Sequence, residues 1–124
     1  MYILDSSAII ELLAGSPLGG KIVTLVGDEP LATTVISFVE VMTGVKGKKE
    51  DAATQFFQSV PVFTLNGEAA KQCVLIQERL KEHGKPMEHS DLFIAGICKQ
   101  NNLSLVTCDK DFIIVKELNV LLVR

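Results

Sequence analysis

Short apolar runs alternate with stretches of helical length along this whole 124-residue chain. The runs are Tyr2-Ile3-Leu4, Leu31-Ala32-Thr33, Val62-Phe63-Thr64-Leu65, Leu103-Ser104-Leu105-Val106 and Val120-Leu121-Leu122-Val123. Strands this short and this apolar are buried on both faces, and strands joined through helices pair in parallel. The pattern therefore predicts an α/β fold, a mainly parallel sheet of short strands with helices on both sides.

The intervening helices can be placed from caps and spacing. Asp5 or Ser6 caps a helix over Ser7–Leu13, and Gly15-Ser16-Pro17-Leu18-Gly19-Gly20 breaks the chain before a second helix from Lys21 to about Val26. Thr34 or Ser37 leads into a third helix that ends near Gly44. Lys46-Gly47-Lys48-Lys49-Glu50-Asp51 reads as a surface loop ahead of a helix through Phe56-Phe57. Ala69, Cys73, Ile76 and Leu80 recur at helical spacing between Glu68 and His83. Ser90 caps a last helix from Asp91 to Cys98, and Asp109 to Phe112 forms a turn.

The length fits a single domain spanning residues 1–124, and 48% apolar residues with a mean hydropathy of +0.33 exclude a disordered chain. No run approaches the ~20 apolar residues of a membrane span. Asp5 ends the first apolar run too early for a signal peptide, so the expected setting is the cytoplasm, away from membranes. Cys73, Cys98 and Cys108 lack metal-binding spacing and sit in apolar segments, which predicts small core residues.

Against this background four carboxylates stand out. Asp5 and Asp109 follow strands, Asp91 opens a helix, and Glu40 interrupts the apolar stretch Val35–Met42. In parallel sheets ligands bind at the carboxyl ends of the strands. Asp5 and Asp109 fall at that edge, Asp91 within reach of it, and Glu40 would reach in from its helix. Each has an ordinary reading: a cap for Asp5, a dipole partner for Asp91, a turn residue for Asp109 beside Asp111. Glu40, among Val39, Val41, Ile36 and Met42, is the hardest to read as a solvated acid. Together, without matching Lys or Arg partners, they predict a site for a hard divalent cation such as Mg²⁺ or Mn²⁺. One or two such ions neutralise a phosphodiester, activate water and stabilise the leaving oxygen.

Net charge is −3, but setting the four acids aside leaves 11 acidic against 12 basic residues, so charge neither favours nor excludes a nucleic-acid substrate. Phosphate-loop and dinucleotide-binding glycine motifs are absent, as is the G-x-S-x-G elbow that would make His89-Ser90-Asp91 a hydrolase triad. His89 reads instead as a loop residue near the substrate entrance.

Ile3-Leu4-Asp5-Ser6-Ser7, Glu40, Asp91-Leu92-Phe93-Ile94-Ala95 and Val106-Thr107-Cys108-Asp109-Lys110-Asp111-Phe112 occur in the order and spacing of a PIN domain. The chain resembles in particular the VapC-like toxin ribonucleases. That resemblance implies a three-layer α/β/α sandwich and Mg²⁺- or Mn²⁺-dependent cleavage of RNA. It places Asp5, Glu40, Asp91 and Asp109 on the family's acidic positions. Ser6 and Thr107 match polar residues that help orient metal, water or phosphate, and Asp111 is a further candidate ligand. The resemblance also implies an antitoxin partner and a homodimer. Lys46, Lys48 and Lys49 could contact RNA phosphates beside the acids. A non-catalytic binding module and a PIN nuclease of RNA maturation stay open as alternatives.

Overall fold

In the computed structural model, which describes residues 1–124, five strands form one parallel sheet in the order β3-β2-β1-β4-β5. The strands are β1 (Tyr2–Leu4), β2 (Leu31–Thr34), β3 (Val62–Phe63), β4 (Ser104–Thr107) and β5 (Val120–Leu122). Six helices connect them: α1 (Ser6–Ala14), α2 (Pro17–Val26), α3 (Val35–Gly44), α4 (Lys48–Ser59), α5 (Gly67–Glu82) and α6 (His89–Asn101). The expected three-layer α/β/α arrangement is what the chain adopts.

Alternation along the central strands divides the core in two. Ile3, Ala32 and Leu105 point to a cluster built with Cys73, Ile76 and Leu80 of α5 and Ile94 and Ile97 of α6. Leu4 and Val106 point the other way, against Ala8, Ile9, Ile22, Val41 and Phe57 of α1 to α4. Register follows the same logic, with Ile3 beside both Ala32 and Leu105 and Leu4 beside Val106. Each large side chain buried this way contributes about 1.5–3 kcal/mol. The central strands therefore sit rigidly between two helical layers, and their carboxyl ends share one edge.

Several local expectations need correction. The glycine-rich stretch after Gly15 is a helix start: Ser16 caps the Gly19 amide at 3.1 Å and Pro17 opens α2. A Cβ on Gly19 would stand 2.3 Å from the Glu11 carbonyl oxygen, so glycine there serves the close approach of α2 to α1. The loop expected over Lys46–Asp51 shrinks to Val45–Gly47, because Glu50 and Asp51 suit the first turn of α4. Ser90 lies inside α6, which begins at His89 and has no side-chain cap. Its entry is fixed instead by the Gln77 amide, which bonds both the nitrogen and the carbonyl of Met87 at 2.9 Å. Cys73 and Cys98 are buried in the core as expected, whereas Cys108 is half-buried. No single helix is long and apolar enough to cross a membrane.

Candidate functional site

Because Leu4 pairs with Val106, the next residue on each strand, Asp5 and Thr107, meet at the carboxyl edge of the sheet. Asp5 is only 3% exposed. Its Oδ1 accepts hydrogen bonds from the Ser7 hydroxyl at 2.7 Å and the Ala8 amide at 2.9 Å, which caps α1. Its Oδ2 accepts one from the Thr107 hydroxyl at 2.5 Å. Burial pushes its pKa up, these hydrogen bonds pull it back, and the charge on Asp109 adds to the rise. A carboxylate offers about four acceptor positions. Three are filled, and the one left lies on Oδ2.

Asp109 leaves β4 on the same hydroxyl, its amide donating to Thr107 Oγ1 at 2.9 Å. Its Oδ1 caps the 3₁₀ turn Lys110–Ile114 through the Asp111 amide at 2.9 Å. Phe112, fully buried, anchors that turn to the core. Asp91 stands in the first turn of α6, half-buried, with no protein hydrogen bond to its carboxylate. Glu40 lies on α3 and accepts from the Ser6 hydroxyl at 2.6 Å, leaving Oε2 free. Contrary to the expectation from its neighbours, Glu40 is exposed. Only Ser37 and Val41 of α3 are buried, so Phe38 and Val39 face outward beside Glu40.

The four carboxylates and Asp111 act on one another through charge. Asp91 is raised to about 6, first by burial and then by Asp109, Glu40, Asp5 and Asp111. The three ion pairs of the chain all lie elsewhere, so no Lys or Arg offsets this charge by direct contact. The acids do not stand ready as a closed ligand cage. They are gathered at electrostatic range, each with at least one acceptor position unclaimed. An all-oxygen, uncompensated set of this kind fits a hard divalent cation.

Ser7 was missed in the sequence, and it ties the edge together. Its hydroxyl donates to Asp5, accepts from the Cys108 amide at 3.0 Å and lies 3.3 Å from Thr107 Oγ1. The available signal was a hydroxyl two residues after a capping Asp. Lys46 and Lys49 share a hollow of about 450 Å³ with Glu40, while Lys48 does not line it. His89 stacks on Phe93 with ring centres 5.9 Å apart, in a hollow against α5 that Asp91 does not line. Residues two apart on a helix face different ways, which moves His89 from the entrance expected for it.

The PIN domain family pattern matches residues 2–118. The chain belongs to the PIN-domain family. Comparison with curated proteins finds no matching sequence. Among solved structures, this PIN domain resembles VapBC2 from Rickettsia felis bound to a promoter DNA fragment, with a TM-score of 0.82 and 19% identity over 99% of this chain and 98% of that one. It is also similar to VapBC-1 from nontypeable Haemophilus influenzae, with a TM-score of 0.80 and 23% identity over 98% and 96% of the two chains. VapBC-5 from Mycobacterium tuberculosis aligns with a TM-score of 0.74 and 21% identity over 99% and 97%. At these identities the likeness is one of fold.

Proposed function

We propose that this PIN domain is a divalent-metal-dependent endoribonuclease and the toxin of a toxin–antitoxin pair. PIN domains as a family are nucleases, so hydrolysis of a phosphodiester is the class of reaction to which the chain belongs. The observation that carries the finer reading is the crowding of Asp5, Glu40, Asp91 and Asp109, from four separate elements, at one sheet edge without a contacting cation.

Asp5, Asp91 and Asp109 would hold Mg²⁺ or Mn²⁺, with Glu40 completing the set directly or through water. Such an ion supplies countercharge to the phosphate and lowers the pKa of a water. The chain's own part is positional. Thr107, Ser7 and the Ala8 amide hold Asp5 in one orientation, and the Thr107 hydroxyl fixes the backbone of Asp109. Asp91 and Glu40 keep free oxygens, and an unengaged carboxylate of this kind would take the proton of the attacking water. Ser6 keeps Glu40 turned to the edge.

The toxin assignment is supported by likeness to chains solved as VapBC toxin–antitoxin complexes. A cognate antitoxin and a homodimer are the partners that it brings.

Purified protein with RNA or single-stranded DNA, in Mg²⁺ or Mn²⁺ and in chelator, tests the reading. RNA cleavage that stops with chelator and with Asp5→Asn or Asp91→Asn is expected. Cleavage surviving both substitutions would overturn the site, and failure to cut either nucleic acid would favour a binding module. Growth arrest on expression, relieved by an adjacent gene, would establish the toxin role.

A further inference from the structure

A second hollow meets the acid edge from the opposite helical layer to the one that carries Lys46 and Lys49. It holds about 570 Å³ between the α5–α6 loop, the start of α6, the 3₁₀ turn and the last residue. Its charged lining is Lys85, Glu88, Asp91, Lys110, Asp111 and Arg124. Lys85, Lys110 and Arg124 are exposed, and none takes part in an ion pair. Asp91 and Asp111 belong both to this lining and to the set of acids that repel one another.

Two observations give these cations a task. A polyanion approaching five carboxylates on a chain of net charge −3 is repelled unless positive groups flank its path. The two basic hollows, moreover, lie in different layers. Glu40, Lys46 and Lys49 belong to α3 and α4 with the segment between them, and Lys85, Lys110 and Arg124 to the α5–α6 loop and the chain beyond β4. Glu40 lines one hollow and Asp91 and Asp111 line the other, so a strand lying in both passes the acids.

The geometry points to the hollow of Lys85, Lys110 and Arg124 as the binding groove for the RNA backbone on one side of the bond to be cut. The groove takes the phosphates of a single strand as point charges and reads no base. The inference rests on the nuclease reading of the acid edge, and it names where that substrate lies.

The test is binding of a labelled single-stranded RNA oligonucleotide in chelator, followed by fluorescence anisotropy across a range of NaCl. Lys85→Ala/Lys110→Ala is expected to weaken binding about tenfold or more. The slope of log affinity against log salt should fall by about 1.4, near 0.7 for each phosphate that is no longer neutralised. Lys85→Arg/Lys110→Arg should restore both, and Lys71→Ala, on a lysine paired with Glu68 on α5, should change neither. In cleavage assays the alanine pair should raise KM with kcat within twofold. Both lysines are exposed, and an unchanged melting temperature verifies that the fold is intact. An unchanged affinity and slope in the folded alanine pair overturns the groove, even if RNA is still cut. A lowered slope in a protein that cuts no nucleic acid supports the groove while overturning the nuclease reading.

Discussion

The Thr107 hydroxyl donates a 2.5 Å hydrogen bond to Asp5 across 102 positions of sequence and also accepts the amide of Asp109 at 2.9 Å. One buried oxygen thus sets two of the proposed metal ligands relative to each other.

Thr107→Val keeps the shape of that side chain and removes both bonds. A hydrogen bond to a buried carboxylate is worth about 1.5–3 kcal/mol, which for a domain of this size lowers Tm by about 10 °C. Metal-dependent RNA cleavage should fall at least tenfold. Thr107→Ser, which retains the hydroxyl, should recover most of both. Melting curves and initial rates on the two variants check this, and a Thr107→Val protein with unchanged rate would separate the hydroxyl from the chemistry.

The acids could be read from the sequence because strand ends and helix starts in a parallel α/β chain share one edge, and Asp5, Asp91 and Asp109 occupy those positions. The layers were legible for a similar reason, since runs as short as Tyr2–Leu4 can only be buried strands. What escaped was orientation. The apolar stretch around Glu40 suggested burial, yet α3 buries a narrow face and leaves Phe38, Val39 and Glu40 outside. His89 and Asp91 are neighbours in sequence but face different hollows. Lys46 to Asp51 read as a charged loop, though the negative charge of Glu50 and Asp51 is what the first turn of a helix accepts. The role of Ser7 depends on its meeting Thr107 and Cys108, which no local pattern announces.

Asp91 gives the metal-free protein an inverted pH response. A carboxyl with a pKa higher folded than unfolded holds its proton more tightly when folded. Its rise from 3.8 to about 6 therefore favours folding at low pH, and that contribution is lost as pH rises through about 6. Asp5, also raised, acts in the same direction. In chelator at pH 7.5, Asp91→Asn should be more stable than the parent by about 1 kcal/mol, solvent screening having reduced the full linkage value. Saturating Mn²⁺ should reverse the order by raising the Tm of the parent more than that of the variant. Thermal melts at pH 5, 6 and 7.5, with chelator and with Mn²⁺, measure both effects.

Gly96 lets α6 pack tightly against α5. A Cβ there would lie 2.2 Å from Cys73 Sγ and 2.8 Å from the Ala69 carbonyl oxygen. In an exposed helix Gly→Ala gains up to ~1 kcal/mol, but here overpacking costs about 1–3 kcal/mol or more and wins. Gly96→Ala should lower Tm, and Cys73→Ala in the same chain should restore part of the loss by vacating the space. A stabilised Gly96→Ala protein would show that the two helices part without cost.

Arg79 controls the far end of the turn that carries Asp109 and Asp111. Its guanidinium donates to both oxygens of Glu117, at 2.8 and 2.6 Å, and to the Ile114 carbonyl at 3.0 Å. Both side chains are less than a third exposed. The hydrogen bond from Arg79 draws the Glu117 pKa below its ordinary value. That pair therefore stabilises the fold above the ordinary carboxylate range, and the contribution is lost as pH falls through the lowered value. Arg79→Lys cannot reproduce the fork. It should lower stability at pH 7 and less so near pH 3, with a several-fold loss of RNA cleavage as Asp109 and Asp111 loosen. Urea unfolding at the two pH values reads the first effect. Cleavage rates across Mn²⁺ concentrations read the second, where a raised metal requirement with unchanged RNA affinity is the expected result.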